Sequence, residues 1–96
     1  MRMLVNVEMD TDKGNEVIES GRMGELMQGI LGKIKPEATY FYVRNGRRAF
    51  TVVVDAADNA SLPSLAEPLW LELHAHVEIL PCMTPEELGD GLSRLA

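Results

Sequence analysis

Two histidines, His74 and His76, stand two residues apart and make up the chain's whole complement of imidazole. On an extended strand, side chains alternate sides, so both rings would leave the same face with Cβ atoms roughly 6.5–7 Å apart. Such a pair suits either of two chemistries. With a carboxylate from Glu8 or Glu78 it could share a divalent metal ion, although no second pair of ligands accompanies it. Alternatively, His76 exchanges protons beside Glu8 or Glu78, because imidazole titrates near neutrality and desolvation raises a carboxyl group. Tyr40 and Tyr42 would then donate a hydrogen bond to a substrate oxygen, with Asn6, Thr51 and His74 completing the ligand's surroundings. The competing structural reading has the tyrosines packing across an interface and the polar groups satisfying one another. Proton transfer is the functional reading we carry forward, with His76, Glu8 and Glu78 as candidate catalytic residues and no metal or other cofactor assigned.

The remaining reactive side chains read more plainly. Trp70, the sole tryptophan, falls at the end of a helical segment. It is a candidate pocket wall, although its spacing fits an inward-facing core anchor better. Cys82 is alone, so no disulfide forms within the chain, and it reads as a small buried hydrophobe, since no base lies near it in sequence. Arg44, Arg47 and Arg48 are the one dense basic cluster, and flanking a turn they read as a solvated hairpin tip.

The elements that must position these groups follow from periodicity. Residues 2–9 alternate, with Met3, Val5, Val7 and Met9 on one side and Leu4, Asn6 and Glu8 on the other, which is a half-buried strand. Asp10, Thr11 and Asp12 are helix-capping residues, and Val17, Ile18, Met23, Met27, Ile30, Leu31 and Ile34 follow with helical spacing that ends before Pro36. A break is expected near Gly21, and the later glycines suggest close packing on a sheet. Residues 38–44 and 47–55 are strand-like, and Asn45-Gly46 between them suits a two-residue type I′ turn. That turn sets a register in which Arg44 faces Arg47, Tyr42 faces Ala49, Phe41 faces Phe50 and Tyr40 faces Thr51. Thr39, Phe41, Val43, Phe50, Val52 and Val54 then share a core face.

A second helix begins near Ser61 with Leu62, Leu65, Leu69 and Trp70 inward, and Pro68 should kink or restart it. Residues 74–80 alternate again, with His74, His76, Glu78 and Leu80 on one side. Thr84-Pro85-Glu86-Glu87 is a capping box opening a terminal helix with Leu88, Leu92 and Leu95 at helical spacing, a stripe suited to packing on this chain or a partner.

The order strand, helix, strand, strand, helix, strand closes by right-handed crossovers into a ferredoxin-like α+β domain covering residues 1–96. Its four-stranded antiparallel sheet has the order 4-1-3-2, and both main helices lie on one face. The opposite face would expose Leu4, Asn6, Glu8, Tyr40, Tyr42, Ala49, Thr51, Val53, His74, His76, Glu78 and Leu80. That set is too apolar for water and too polar for a dry core. Two such faces stacked together would bury the apolar members and leave the polar ones lining a partly wet cavity. Composition agrees with a small domain that gains from a partner: a chain of 96 residues buries only roughly 60–65% of its unfolded surface.

Nine basic against fifteen acidic residues give a net charge of −6. Phosphate backbones and anionic lipids repel such a chain, which argues against nucleic acid or a membrane surface as partner. The stretch Met1 to Val7 is too short for a secretory core and is interrupted by Asn6. With the single cysteine, this points to a reducing cytoplasm.

The element order, the stretch "GRRAFTVVVDAADNASLPSLAEPLW" and the following "HVEILPCMTPEEL" resemble the dimeric α/β-barrel superfamily. The similarity is to its muconolactone isomerase-like small proteins and their uncharacterised bacterial relatives, and it spans most of the chain in layout and hydrophobic pattern. The resemblance implies a homodimer whose ferredoxin-like subunits face each other sheet to sheet. Members include isomerases, cofactor-free monooxygenases, haem-handling enzymes and proteins without known activity, and no catalytic set carries over residue by residue. The expectation is therefore a homodimer binding a small organic ligand between its sheets, as an isomerase or cofactor-free oxygenase. The alternatives are a non-catalytic structural or ligand-carrier module, and a metal-dependent enzyme using His74 and His76.

Overall fold

Alternation along the first residues becomes strand β1 (Arg2–Glu8), with Met3, Val5 and Val7 buried and the intervening side chains half-buried. The computed structural model describes residues 1–95. Asp10 caps helix α1 (Thr11–Glu19) by accepting from the Lys13 N–H at 2.9 Å. The helical stretch breaks where expected, at Gly21 (φ +75°), a left-handed conformation that costs an L side chain about 1–2 kcal/mol. Helix α2 (Met23–Ile34) follows and buries Ile30. Its glycines do not serve close packing: Gly24, Gly29 and Gly32 each look onto open space. The close approach is instead at Gly14 in α1, where an added Cβ would stand 2.7 Å from the Arg48 guanidinium.

Strands β2 (Ala38–Arg44) and β3 (Arg47–Asp55) form the hairpin, with Asn45 and Gly46 both at positive φ (54° and 72°) as a type I′ turn requires. The register is the one the turn dictates, Tyr42 opposite Ala49 and Tyr40 opposite Thr51. After a short 3₁₀ turn capped by Asp58, helix α3 (Leu62–Leu73) runs through Pro68 without restarting. The proline removes a single N–H, while Leu65, Leu69 and Leu73 on both sides of it are buried against the sheet and hold the helix in one piece. Trp70 falls off that stripe and is 46% exposed, so it is no core anchor.

Strand β4 (His76–Pro81) pairs with β1, and helix α4 (Pro85–Ser93) closes the chain. Its capping box is complete: Thr84 Oγ1 accepts from the Glu87 N–H at 3.1 Å, and Glu87 accepts from the Thr84 N–H at 3.0 Å. Hydrogen bonding to the carboxyl, first from the Thr84 backbone N–H and then from the Thr84 hydroxyl, holds Glu87 below its ordinary range.

The sheet order is β2-β3-β1-β4, all antiparallel, which is the ferredoxin-like arrangement. One core collects Val5, Val7, Phe50, Val52, Ile30, Leu65 and Leu69 between the sheet and the helices on one face. The edge strand departs from expectation. Phe41 and Val43 share the helix-covered face with Phe50 and Val52, yet they are 58% and 75% exposed, because β2 runs out past the helices. The terminal leucine stripe does not pack on its own chain either, since Leu88, Leu92 and Leu95 are all exposed. The result is an elongated molecule, with extents of 56 × 27 × 17 Å. Among the described residues no helix is long and apolar enough to cross a membrane.

Candidate functional site

On the face opposite the helices, the pairing of β1 with its neighbours lays polar side chains across the whole sheet. Asn6 lies between Thr51 on β3 and Glu78 on β4, and Glu8 lies between Ala49 and His76. Directly opposed residues of antiparallel strands bring their Cβ atoms within roughly 4.5–5.5 Å, so these rows are in contact range. A continuous chain of hydrogen bonds results. The Tyr42 hydroxyl meets Thr51 Oγ1 at 2.6 Å, Thr51 Oγ1 donates to Asn6 Oδ1 at 2.8 Å, and Asn6 Nδ2 donates to Glu78 Oε1 at 3.0 Å. It touches all four strands.

The chemistry of the groups orients this chain. A carboxylate only accepts, so Glu78 turns the Asn6 amide nitrogen towards itself and the amide oxygen towards Thr51. Thr51 has a single proton and gives it to Asn6, so the Tyr42 hydroxyl must be the donor to Thr51. Tyr42 therefore presents lone pairs rather than a proton to anything bound above it. This reverses the donor role that its residue type suggested.

Beside the chain lies a cleft of ≈ 150 Å³ walled by Asn6, Glu8, Tyr42, Arg44, His76 and Glu78. Glu8 is held there, its side chain 13% exposed, by Arg47 at 3.5 Å and Asn45 at 3.4 Å. His76 and Glu78 project from β4 on the same face and are exposed. The cleft thus joins two carboxylates, an imidazole, a phenol, two amides (Asn6 and Asn45) and a guanidinium around one small volume. Typical ligand pockets enclose roughly 300–1,000 Å³, so this cleft is small, and it is partly open to solvent.

The expected site residues separate cleanly. His76, Glu8, Glu78, Asn6 and Tyr42 converge on the cleft, and Thr51 joins through its hydrogen bonds. Tyr40 lies on the same face, 69% exposed. His74 does not join them. It is the left-handed C-cap of α3 (φ 49°), its backbone N–H bonded to Leu69 and Trp70, and the strand begins only at His76. The alternation from 74 to 80 was therefore one residue pair too long: a helix needs its terminal carbonyls satisfied, and the backbone of residue 74 does that. The two imidazoles do not form a strand pair, and among the described residues no three His, Cys, Asp or Glu side chains gather as metal ligands. Trp70 belongs to α3, which covers the other face of the sheet, so it does not wall this cleft.

Arg44, expected as part of a solvated hairpin tip, and Asn45, expected only as a turn residue, both line the cleft. The signal was present in the turn register, which sets Arg44 and Arg47 at the end of the hairpin beside Glu8. No family model and no curated protein matches this chain.

Proposed function

We infer that the protein is a homodimer that binds a small oxygenated organic molecule between its sheets and moves a proton on it, as an isomerase or a cofactor-free oxygenase does. The observation that supports this most directly is the oriented chain Tyr42–Thr51–Asn6–Glu78 running beside a cleft that also holds His76 and Glu8. His76 serves as the proton acceptor in this reading. Glu78 sits two residues along the same strand and Glu8 directly across from the histidine, so either carboxylate can stabilise the imidazolium once formed. Arg44 offers a cation for developing negative charge on a ligand oxygen, and the Tyr42 lone pairs accept from a ligand hydroxyl.

In this reading a second sheet closes the small, partly open cleft, and the half-buried Leu4 and Val53 with exposed Leu80 on the same face give that sheet apolar surface to bury. A carrier module that binds without turning the ligand over is the second reading. It is favoured by the direct bonding of Glu8 to Arg47 and Asn45, which fixes the carboxylate in place.

Light scattering on the wild type and on Tyr42→Glu tests the dimer. A wild-type dimer that the variant splits supports the reading, whereas a wild-type monomer removes the shared cavity. A thermal-shift panel of small hydroxy, keto and lactone compounds on wild type and His76→Ala tests the chemistry. Ligands that stabilise both proteins but turn over only with His76 present mark an enzyme, and binding without turnover in either marks the carrier.

A further inference from the structure

On the helix-covered side of the sheet, where β2 runs out past the helices, an apolar groove of ≈ 260 Å³ stands open. Buried Met9 forms part of its floor. Half-buried Met23 and Met27, one turn apart on α2, face exposed Phe41 and Val43 across it. Arg48, directly opposite Val43 on β3, is the one charged residue of the lining.

That arginine has a built seat. Its guanidinium lies over α1 at Gly14, where a Cβ would stand 2.7 Å from Nη1, and Nη1 donates to Asn15 Oδ1 at 3.1 Å. The partner that fixes it is a neutral amide. Among the described residues Arg48 joins no ion pair, although acidic residues outnumber basic ones fifteen to nine. A guanidinium offers five N–H donors in a planar fork that matches a carboxylate. One bond to Asn15 leaves its charge and most of those donors unused.

We propose that this groove is a second ligand site, for a small amphipathic monoanion. The ligand's apolar body lies against Met23, Met27, Phe41 and Val43, and its carboxylate meets the Arg48 guanidinium. Size sets the scale of the body. An apolar cavity of roughly 150 Å³ admits a benzene-sized guest, so ≈ 260 Å³ holds an aromatic ring with a few further carbons. Methionine stems bend to fit such a guest, and their sulfurs make favourable contacts with aromatic edges. The methylene stem of Arg48 continues the apolar lining up to the charge. A neutral guest would leave the guanidinium unpaired, and a cationic one would meet a like charge. The groove and the open-face cleft lie on opposite sides of the sheet, so this site depends neither on the dimer nor on the proton transfer proposed above.

Protein labelled with carbon-13 at its methionine methyl groups is titrated with phenylpropionate and followed by NMR. Phenylpropanol and phenylpropylamine keep the apolar body and make the head neutral or cationic. The methyl signals of Met23 and Met27 should shift, and that of exposed Met83, beyond β4, should not. The acid should bind at least about ten-fold tighter than the alcohol, and tighter still than the amine. Arg48→Met keeps the stem and should bring the acid's affinity down to the alcohol's. Asn15→Asp, at an exposed position outside the groove, places a carboxylate on the same guanidinium. It should weaken the acid by about five-fold or more and leave the alcohol unchanged, and it decides the matter even if Arg48→Met folds poorly. Equal affinity for the three head groups, or an acid indifferent to Asn15→Asp, overturns the anion site. The absence of any saturable shift at millimolar phenylpropionate overturns it as well. Shifts of Met23 and Met27 that follow protein concentration alone would give the groove to a second copy of the chain instead.

Discussion

Replacing Thr51 by valine keeps the β-branched shape that a strand favours and removes one hydroxyl from the middle of the hydrogen-bonded chain. Two bonds go together, Tyr42 to Thr51 at 2.6 Å and Thr51 to Asn6 at 2.8 Å. Each is worth about 0.5–1.5 kcal/mol net, so the loss is about 1–3 kcal/mol, reduced by the extra methyl group that valine adds to a half-buried position. On a face open to water, solvent re-pairs the Tyr42 hydroxyl and the Asn6 carbonyl, and about 1 kcal/mol remains. If a second sheet covers the face, both groups are stranded, and each costs about 1–3 kcal/mol more. Since 1 kcal/mol moves the midpoint of a domain this size by about 4–8 °C, Thr51→Val should lower Tm by about 5 °C in dilute protein. With the proposed dimer covering this face, the drop should at least double at concentrations where that dimer is populated. Thr51→Ser, which retains the hydroxyl, should recover most of the loss. The assay is thermal unfolding followed by circular dichroism across a hundred-fold range of concentration. A valine variant as stable as the wild type throughout would show that the chain of bonds does not organise this face.

Three further outcomes follow from local geometry. Glu87 has its folded carboxyl lowered by the bonds from Thr84, so its contribution to α4 is present above the unfolded value, about 4.3, and is lost as pH falls through the folded one. Helical signal should therefore decline below about pH 4.3 in wild type, and Thr84→Ala should make α4 fray at neutral pH, measured by amide hydrogen exchange of residues 85–93. Gly29→Ala, in the exposed interior of α2 with open space around it, should stabilise the protein by about 0.5–1 kcal/mol, whereas Gly21→Ala at φ +75° should destabilise it by about 1 kcal/mol, both read by urea unfolding. Phe50→Ala, at the fully buried centre of the sheet, should cost about 3–5 kcal/mol, a large share of the total stability, and be read as a lower urea midpoint.

Much of this fold is local chemistry and is legible in the chain. The Asn45-Gly46 turn demands positive φ at two successive residues, and that single requirement sets the whole β2–β3 register, including Tyr42 opposite Ala49. The capping box at Thr84 and the break at Gly21 are likewise decided by the few atoms that form them. Alternation along β1 assigned Asn6 and Glu8 to the open face, and the strand order then brought Glu78 and His76 beside them.

Other features required the packed molecule. Period-two alternation could not tell His74 in a strand from His74 as a helix cap, because alternation reports side-chain polarity and not the left-handed backbone that satisfies the last carbonyls of α3. Burial of Phe41, Val43 and Trp70 was misjudged for a related reason: periodicity shows which side of an element a residue takes, not whether another element lies over it. The direction of the Tyr42–Thr51–Asn6–Glu78 chain belongs to the tertiary structure too, since it depends on four strands meeting in register and on one carboxylate at the end that can only accept. Local rules thus determined the elements and the residues they present, while long-range packing decided which of those residues meet.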